Sequence, residues 1–155
     1  MKYKFTEETM NWNGHLLHRI KRIQDGVIGG WIEKQDNLSQ RSDCWVSDEA
    51  KVFGNAQVHE NAEISGNAQV YDNAKVYGNS RILDKAKIYD NAQVFDDAKL
   101  YSNAIICDNA KVYGNTNIGM DTIIRGNAKV FGNTTVEDII IQGTERISCD
   151  EDLNI

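Results

Sequence analysis

The chain repeats itself in sixes. Residues 50–139 run through fifteen hexads without an insertion, opening Ala-Lys-Val-Phe-Gly-Asn, Ala-Gln-Val-His-Glu-Asn, Ala-Glu-Ile-Ser-Gly-Asn. One column is aliphatic in every hexad, from Val52 and Val58 through Val94 and Leu100 to Val130 and Val136. A second column, two residues earlier, is small: mostly alanine, as at Ala50, Ala92 and Ala110, with Ser80, Thr116, Thr122 and Thr134 as its polar members. Residues i and i+2 of a strand face the same side. Each hexad therefore predicts a very short strand with both columns pointing inward and the neighbours of the aliphatic residue pointing out. The last two positions are turn residues, as in Gly54-Asn55, Asp72-Asn73, Gly78-Asn79 and Asp108-Asn109. Gly and Asn tolerate positive φ, and Asp and Asn bond their own local backbone, so a corner every six residues has suitable chemistry. The chain contains no proline, which leaves every strand amide able to pair with the next coil. Self-similarity at a fixed period is the signature of a solenoid.

The order aliphatic, any, any, turn residue, small, any resembles the hexapeptide repeat of left-handed parallel β-helix proteins. In that family three hexads make one triangular coil. The resemblance implies an all-β fold: a left-handed parallel β-helix, a triangular solenoid of about five regular coils, about 24 Å tall at ~4.8 Å per strand. The left hand comes from the resemblance and not from the period, and a right-handed triangular β-helix of the bactofilin type accepts much of the same pattern. The family includes acyltransferases, carbonic anhydrases and antifreeze proteins, so the fold names no activity.

Outside the hexads the chain divides further. Residues 1–26 are expected to form a β-hairpin cap, because Asn13-Gly14 lies between Met10-Asn-Trp12 and His15-Leu-Leu-His-Arg-Ile20. That hairpin would set Glu8 opposite Arg19. Its task would be to cover the unpaired strand edge of the first coil. Residues 27–49 read as the transition: a strand with a glycine bend over Val27-Ile-Gly-Gly-Trp-Ile-Glu33, then a register that holds at Cys44 and Val46 and fails at Gln40. At the far end the aliphatic step from Val136 to Ile141 is five. Residues 138–149 read as an irregular coil or capping hairpin, and residues 140–155 as a terminal unit that ends in an acidic tail. The order of hairpin, Gly-Gly-Trp-Ile-Glu, Asn-Leu-Ser, Trp-Val and Asn-Ala hexads resembles small hexapeptide-repeat proteins of bacteria and their phages. That resemblance implies a phage or prophage origin.

Composition narrows the function classes. A net charge of −6 argues against a nonspecific nucleic-acid binder driven by phosphate contacts. No run approaches transmembrane length, and the start lacks an apolar leader core, so a cytoplasmic protein is expected. Cys44, Cys107 and Cys149 are widely spaced and match no zinc pattern, and no cofactor is implied. Hexapeptide acyltransferases use a prism histidine as general base and acetyl-CoA as donor. Here His59 is the only histidine within the hexads, and it stands where Phe and Tyr stand elsewhere. A carbonic anhydrase of this fold needs three zinc histidines, which the repeats do not supply.

Residues eighteen apart stack on a three-sided coil. One face then carries His59, Tyr77, Phe95, Tyr113 and Phe131 outward, flanked by Lys75, Gln93, Lys111 and Lys129. A second carries Phe53, Tyr71 and Tyr89, then Cys107 and Arg125; the third carries Ser65, Leu83, Tyr101, Gly119 and Glu137. Stacked aromatics can serve only to tie neighbouring coils together. They are also enriched where interfaces carry their energy. The expectation is a non-catalytic scaffold or protein-binding module that acts through the His59–Phe131 face, on another copy of itself or on another protein. An acyltransferase and a phage inhibitor of a host defence protein are the alternatives.

Overall fold

A computed structural model of the chain describes residues 1–149. Hexads become two- or three-residue strands, and every third strand is a hydrogen-bonded neighbour. One sheet of nine strands and two of six make the three faces of a prism. Gln93 pairs with Lys75 on one side and Lys111 on the other, and Val94 with Val76 and Val112, a parallel register of eighteen residues. The bonds run from each coil to the next: Gln93 N–H donates to Ala110 O at 3.0 Å and Phe95 N–H to Val112 O at 3.0 Å. The aliphatic column is buried throughout, from Val52 at 0% exposure to Val136 at 7%. The alanines beside it are also at 0%. Of the polar members, Ser80 donates to Tyr77 O at 2.8 Å, while the Thr116 hydroxyl has no partner among the described residues.

The corners show what the second half of each hexad is for. One residue per hexad takes positive φ, at every sixth position from Asp48 to Asp138. It is the first of the two turn residues; the asparagine after it does not. Asparagines instead stack coil on coil, as Asn61 on Asn79 at 3.0 Å and Asn115 on Asn133 at 3.1 Å. From Asp48 to Asp108, where the positive-φ residue is acidic, its carboxylate accepts the corner amide of the next coil. Asp84 receives Ser102 N–H at 2.9 Å, Asp96 receives Gly114 N–H at 3.0 Å and Asp108 receives Gly126 N–H at 2.8 Å. Much of the acidity of the chain is therefore structural. Where the residue is glycine, space is the reason as well as φ: a Cβ on Gly78 (φ +70) would lie 2.6 Å from Asp96 N.

The N-terminal segment forms β1 (Tyr3–Trp12), β2 (His15–Arg22) and β3 (Ile28–Ile32), each pairing antiparallel with the one before. β3 then joins the prism in parallel, Ile32 beside Val52. Its two glycines are not a bend. They lie flat against the first coil, and a Cβ on Gly30 would sit 2.6 Å from Ala50 O. Tyr3 and Ile20 reach into the core, and the Tyr3 hydroxyl donates to Leu38 O at 2.7 Å. The expected Glu8–Arg19 pair is absent, because β1 bulges between Phe5 and Thr9. Arg19 instead donates to Glu49 at 2.8 Å and lies over Trp31 at 4.9 Å.

Both ends of the repeat are more regular than the hexad count allows. Leu38 occupies an inward position, bridged to Val58 and fully buried. The aliphatic step is six from Ile32 to Leu38 and eight from Leu38 to Val46, so an insertion of two residues hides a whole earlier coil. At the other end Ile140 pairs with Ile123 and Arg146 with Lys129, seventeen residues on. One residue is missing and the parallel coil continues, so the segment is not a hairpin. Leu153 and the acidic residues from Asp150 onward lie outside the described residues.

Two outcomes follow for the core and the corners. Val94→Asp places a carboxyl in an apolar interior. It should cost on the order of 4 kcal/mol or more, the equivalent of a pKa displaced by about 3 units. Phe95→Asp removes two ring contacts and should cost about 1–3 kcal/mol; equal melting losses would contradict the inward assignment of Val94. Gly78→Ala should melt well below Gly143→Ala. Both sites have positive φ, which costs an alanine about 1–2 kcal/mol, but a Cβ at Gly143 meets nothing within 4 Å.

Candidate functional site

The register turns every outward position into a row. On the face built from Gln57–Val58, Lys75–Val76, Gln93–Val94, Lys111–Val112 and Lys129–Val130, the next residue along is His59, Tyr77, Phe95, Tyr113 and Phe131. These five rings stack in one column. Centroids are 4.9 Å apart from His59 to Tyr113 and 5.2 Å for the last step, with interplanar angles of 2° to 7°. Parallel rings at that separation are offset-stacked. The ring faces cover one another, and the edges border solvent. All five rings are half-buried, and burial, with Asp96 and Glu60 nearby, lifts the Tyr77 phenol above its ordinary pKa. The Arg146 guanidinium closes the column, 5.1 Å from the centre of Phe131.

All nine residues expected at this site, the five rings with Lys75, Gln93, Lys111 and Lys129, therefore share one face in two parallel rows. Arg146 belongs with them and sequence reasoning missed it. The missing residue before Ile141 moves Arg146 out of the eighteen-residue count from Lys129. The signal that could have found it is the aliphatic Ile147 beside it, which resumes the step of six.

A second ladder lies on the face of the nine-stranded sheet, and its start is covered. Phe53 stacks on Tyr71 at 5.0 Å and Tyr71 on Tyr89 at 5.0 Å. The hairpin tip folds over its start: His15 lies 4.9 Å from Phe53, and Leu17, Met10 and Trp12 pack with Phe53, Trp31 and Tyr71. Phe53 is left 3% exposed. Below Tyr89 the row passes to Cys107, whose thiol is pushed up by burial against the opposing effect of its hydrogen bond with Tyr89. On the third face, Tyr101 crosses Gly119, where any side chain would collide with its ring, to donate to Glu137 at 2.6 Å.

Other chemistry fares less well. Asp90, Cys107 and Asp108 bring ligand-type atoms within 4.8 Å of one another. Both carboxylates already serve corners, Asp90 accepting Asp108 N–H at 3.1 Å and Asp108 accepting Gly126 N–H at 2.8 Å. The third member is a thiol whose pKa burial raises. His59 has one ring face laid on Tyr77, at 4.9 Å and 4°, which makes it the first rung of the column. Among the described residues no helix is long and apolar enough to cross a membrane.

Comparison with known families agrees with this architecture. The model of the YdcK beta solenoid repeat matches residues 68–84, just short of one coil. No curated protein matches the chain. The match describes a repeat that builds a β-solenoid and carries no activity with it.

The column has a stability consequence of its own. Tyr113→Ala removes a ring stacked on both Phe95 and Phe131 and should cost about 1–3 kcal/mol, whereas Tyr113→Phe should be near neutral. Chemical denaturation of the three proteins measures both. A neutral Tyr113→Ala would mean that the stacking contributes nothing to coil cohesion.

Proposed function

We propose that this protein is a non-catalytic β-solenoid binding module whose contact surface is the face bearing His59, Tyr77, Phe95, Tyr113 and Phe131. One observation carries the reading. Of the two aromatic ladders, the protein covers the start of the Phe53 ladder with its own hairpin and leaves this one half-exposed over five coils. A continuous row of aromatic edges beside long Lys and Gln side chains has the composition of an interface core with a polar rim. The contact is with a second copy of the chain or with another protein. Acyl transfer is not part of the proposal, because a histidine held flat in a ring stack is poorly placed to serve as a general base. A phage or prophage origin rests on the likeness of the N-terminal segment order, and the genes beside the coding sequence test it.

The test is the double variant Phe95→Glu with Tyr113→Glu, which leaves both inward columns untouched. The sheet signal in circular dichroism should persist with a lowered melting point. The mass by light scattering should fall from that of an oligomer toward the 17.5 kDa of one chain. A monomeric wild type, together with a double variant that still captures any partner taken by the wild type, would reduce this face to a structural ladder.

A further inference from the structure

Beside the aromatic column runs a second row, Lys75, Gln93, Lys111, Lys129 and Arg146. Parallel pairing sets Lys111 against Lys129 and Lys129 against Arg146. At a strand spacing of ~4.8 Å, three cations line up over about 10 Å, and like charges directly opposite across a ladder are destabilising. None of the ion pairs among the described residues engages them. The acids of the adjoining corner are turned to other work, Asp90 holding Asp108 N–H and Asp108 holding Gly126 N–H. The row borders a shallow depression of about 460 Å³ lined by Asn109, Lys111, Asn127, Lys129, Thr144 and Arg146, with no carboxylate in the lining. The amides of Asn109 and Asn127 take no part in the asparagine stacking seen at Asn115 and Asn133. Their backbone N–H groups donate to Gly126 O and Gly143 O, but their side-chain amides carry no hydrogen bond among the described residues. This strip is basic in a chain of net charge −6.

We infer that the strip receives an extended acidic peptide segment of a partner protein, its carboxylates facing Lys111, Lys129 and Arg146 and its remaining side chains facing the aromatic edges. This rests on the reading of the same face as a contact surface. The dimensions suit a peptide. From Lys75 to Arg146 is four coil steps, about 19 Å, which matches about six residues of extended chain. Carboxylates accept from lysine ammonium groups, from the Arg146 fork and from the asparagine amides alike. Single-stranded nucleic acid is disfavoured because its bases need open ring faces, and here both faces of Tyr77, Phe95 and Tyr113 are closed by neighbouring rings.

The probe is fluorescent poly-L-glutamate, titrated into the full chain at low and at higher salt and read by anisotropy. The wild type should bind it, with affinity falling about tenfold or more as the ionic strength rises through 0.2 M. The triple variant Lys111→Glu, Lys129→Glu, Arg146→Glu should lose about tenfold or more at low salt. A control with the same net charge, Lys85→Glu, Lys87→Glu, Lys99→Glu, should keep most of the binding. Should the triple reversal unfold the protein, Lys111→Gln with Lys129→Gln answers the same question. Three results overturn the inference: no binding by the wild type, equal losses in triple variant and control, or stronger binding of a single-stranded oligonucleotide or of heparin than of poly-L-glutamate. The two readings fail separately. Poly-L-glutamate binding that survives the charge reversal removes the acidic partner and leaves the aromatic contact face standing, whereas an unchanged mass in the Phe95/Tyr113 variant concerns the rings alone.

Discussion

Every feature of this protein depends on the parallel backbone ladder from one coil to the next. Its donors and acceptors are spaced by the strand repeat, and its register advances by three hexads. Asn91, Gln93 and Phe95 each donate forward by the same rule, to Asp108, Ala110 and Val112. Once that register is fixed, a residue type that recurs in the sequence must recur as a column in space. Inward columns become a buried core of alanine and aliphatic side chains with little room for change. Outward columns become rows whose members touch like with like: ring on ring, amide on amide, ammonium beside ammonium. The first two contacts are cohesive and the third is not.

The corners let the ladder turn without losing amides. A positive-φ residue at each corner redirects the chain, and at aspartates such as Asp84 and Asp96 the carboxylate also holds the next corner amide, so one residue type answers both needs. Backbone groups left unpaired are costly, and a solenoid has as many corners as strands. Much of the negative charge is therefore engaged locally. The net charge of the chain understates how basic the lysine row is. The same accounting separates Asp90 and Asp108 from any chemistry that their closeness to Cys107 suggests.

The two aromatic ladders arise from one repeat and meet different ends. The first begins under the hairpin, where His15, Leu17 and Trp12 close over Phe53 and Tyr71. The second begins at His59, ends at Arg146 and keeps its edges half-exposed. Ring faces in such a column are spent on each other. What remains for a partner is a strip of ring edges, phenol oxygens, amides and cations, a surface suited to peptide contact and poor for stacking flat ligands.

The sequence by itself determined the repeating unit: which column is core, which residues turn, that fifteen hexads make a β-solenoid, and which nine residues share a face. Period two within a strand and period six along the chain are local facts, legible because every hexad obeys them. It carried the hand only by resemblance, since inward and outward positions alternate alike in either sense of coil. The tertiary structure decided what lies where the period breaks. Leu38 enters the core across an insertion of two residues, Arg146 joins the lysine row across the loss of one, and Arg19 leaves Glu8 for Glu49 at a bulge. It also decided which ladder is covered, because the hairpin meets the Phe53 face through contacts between segments thirty or more residues apart, such as His15 with Phe53. Such contacts depend on how the chain packs in three dimensions, and no periodicity encodes them.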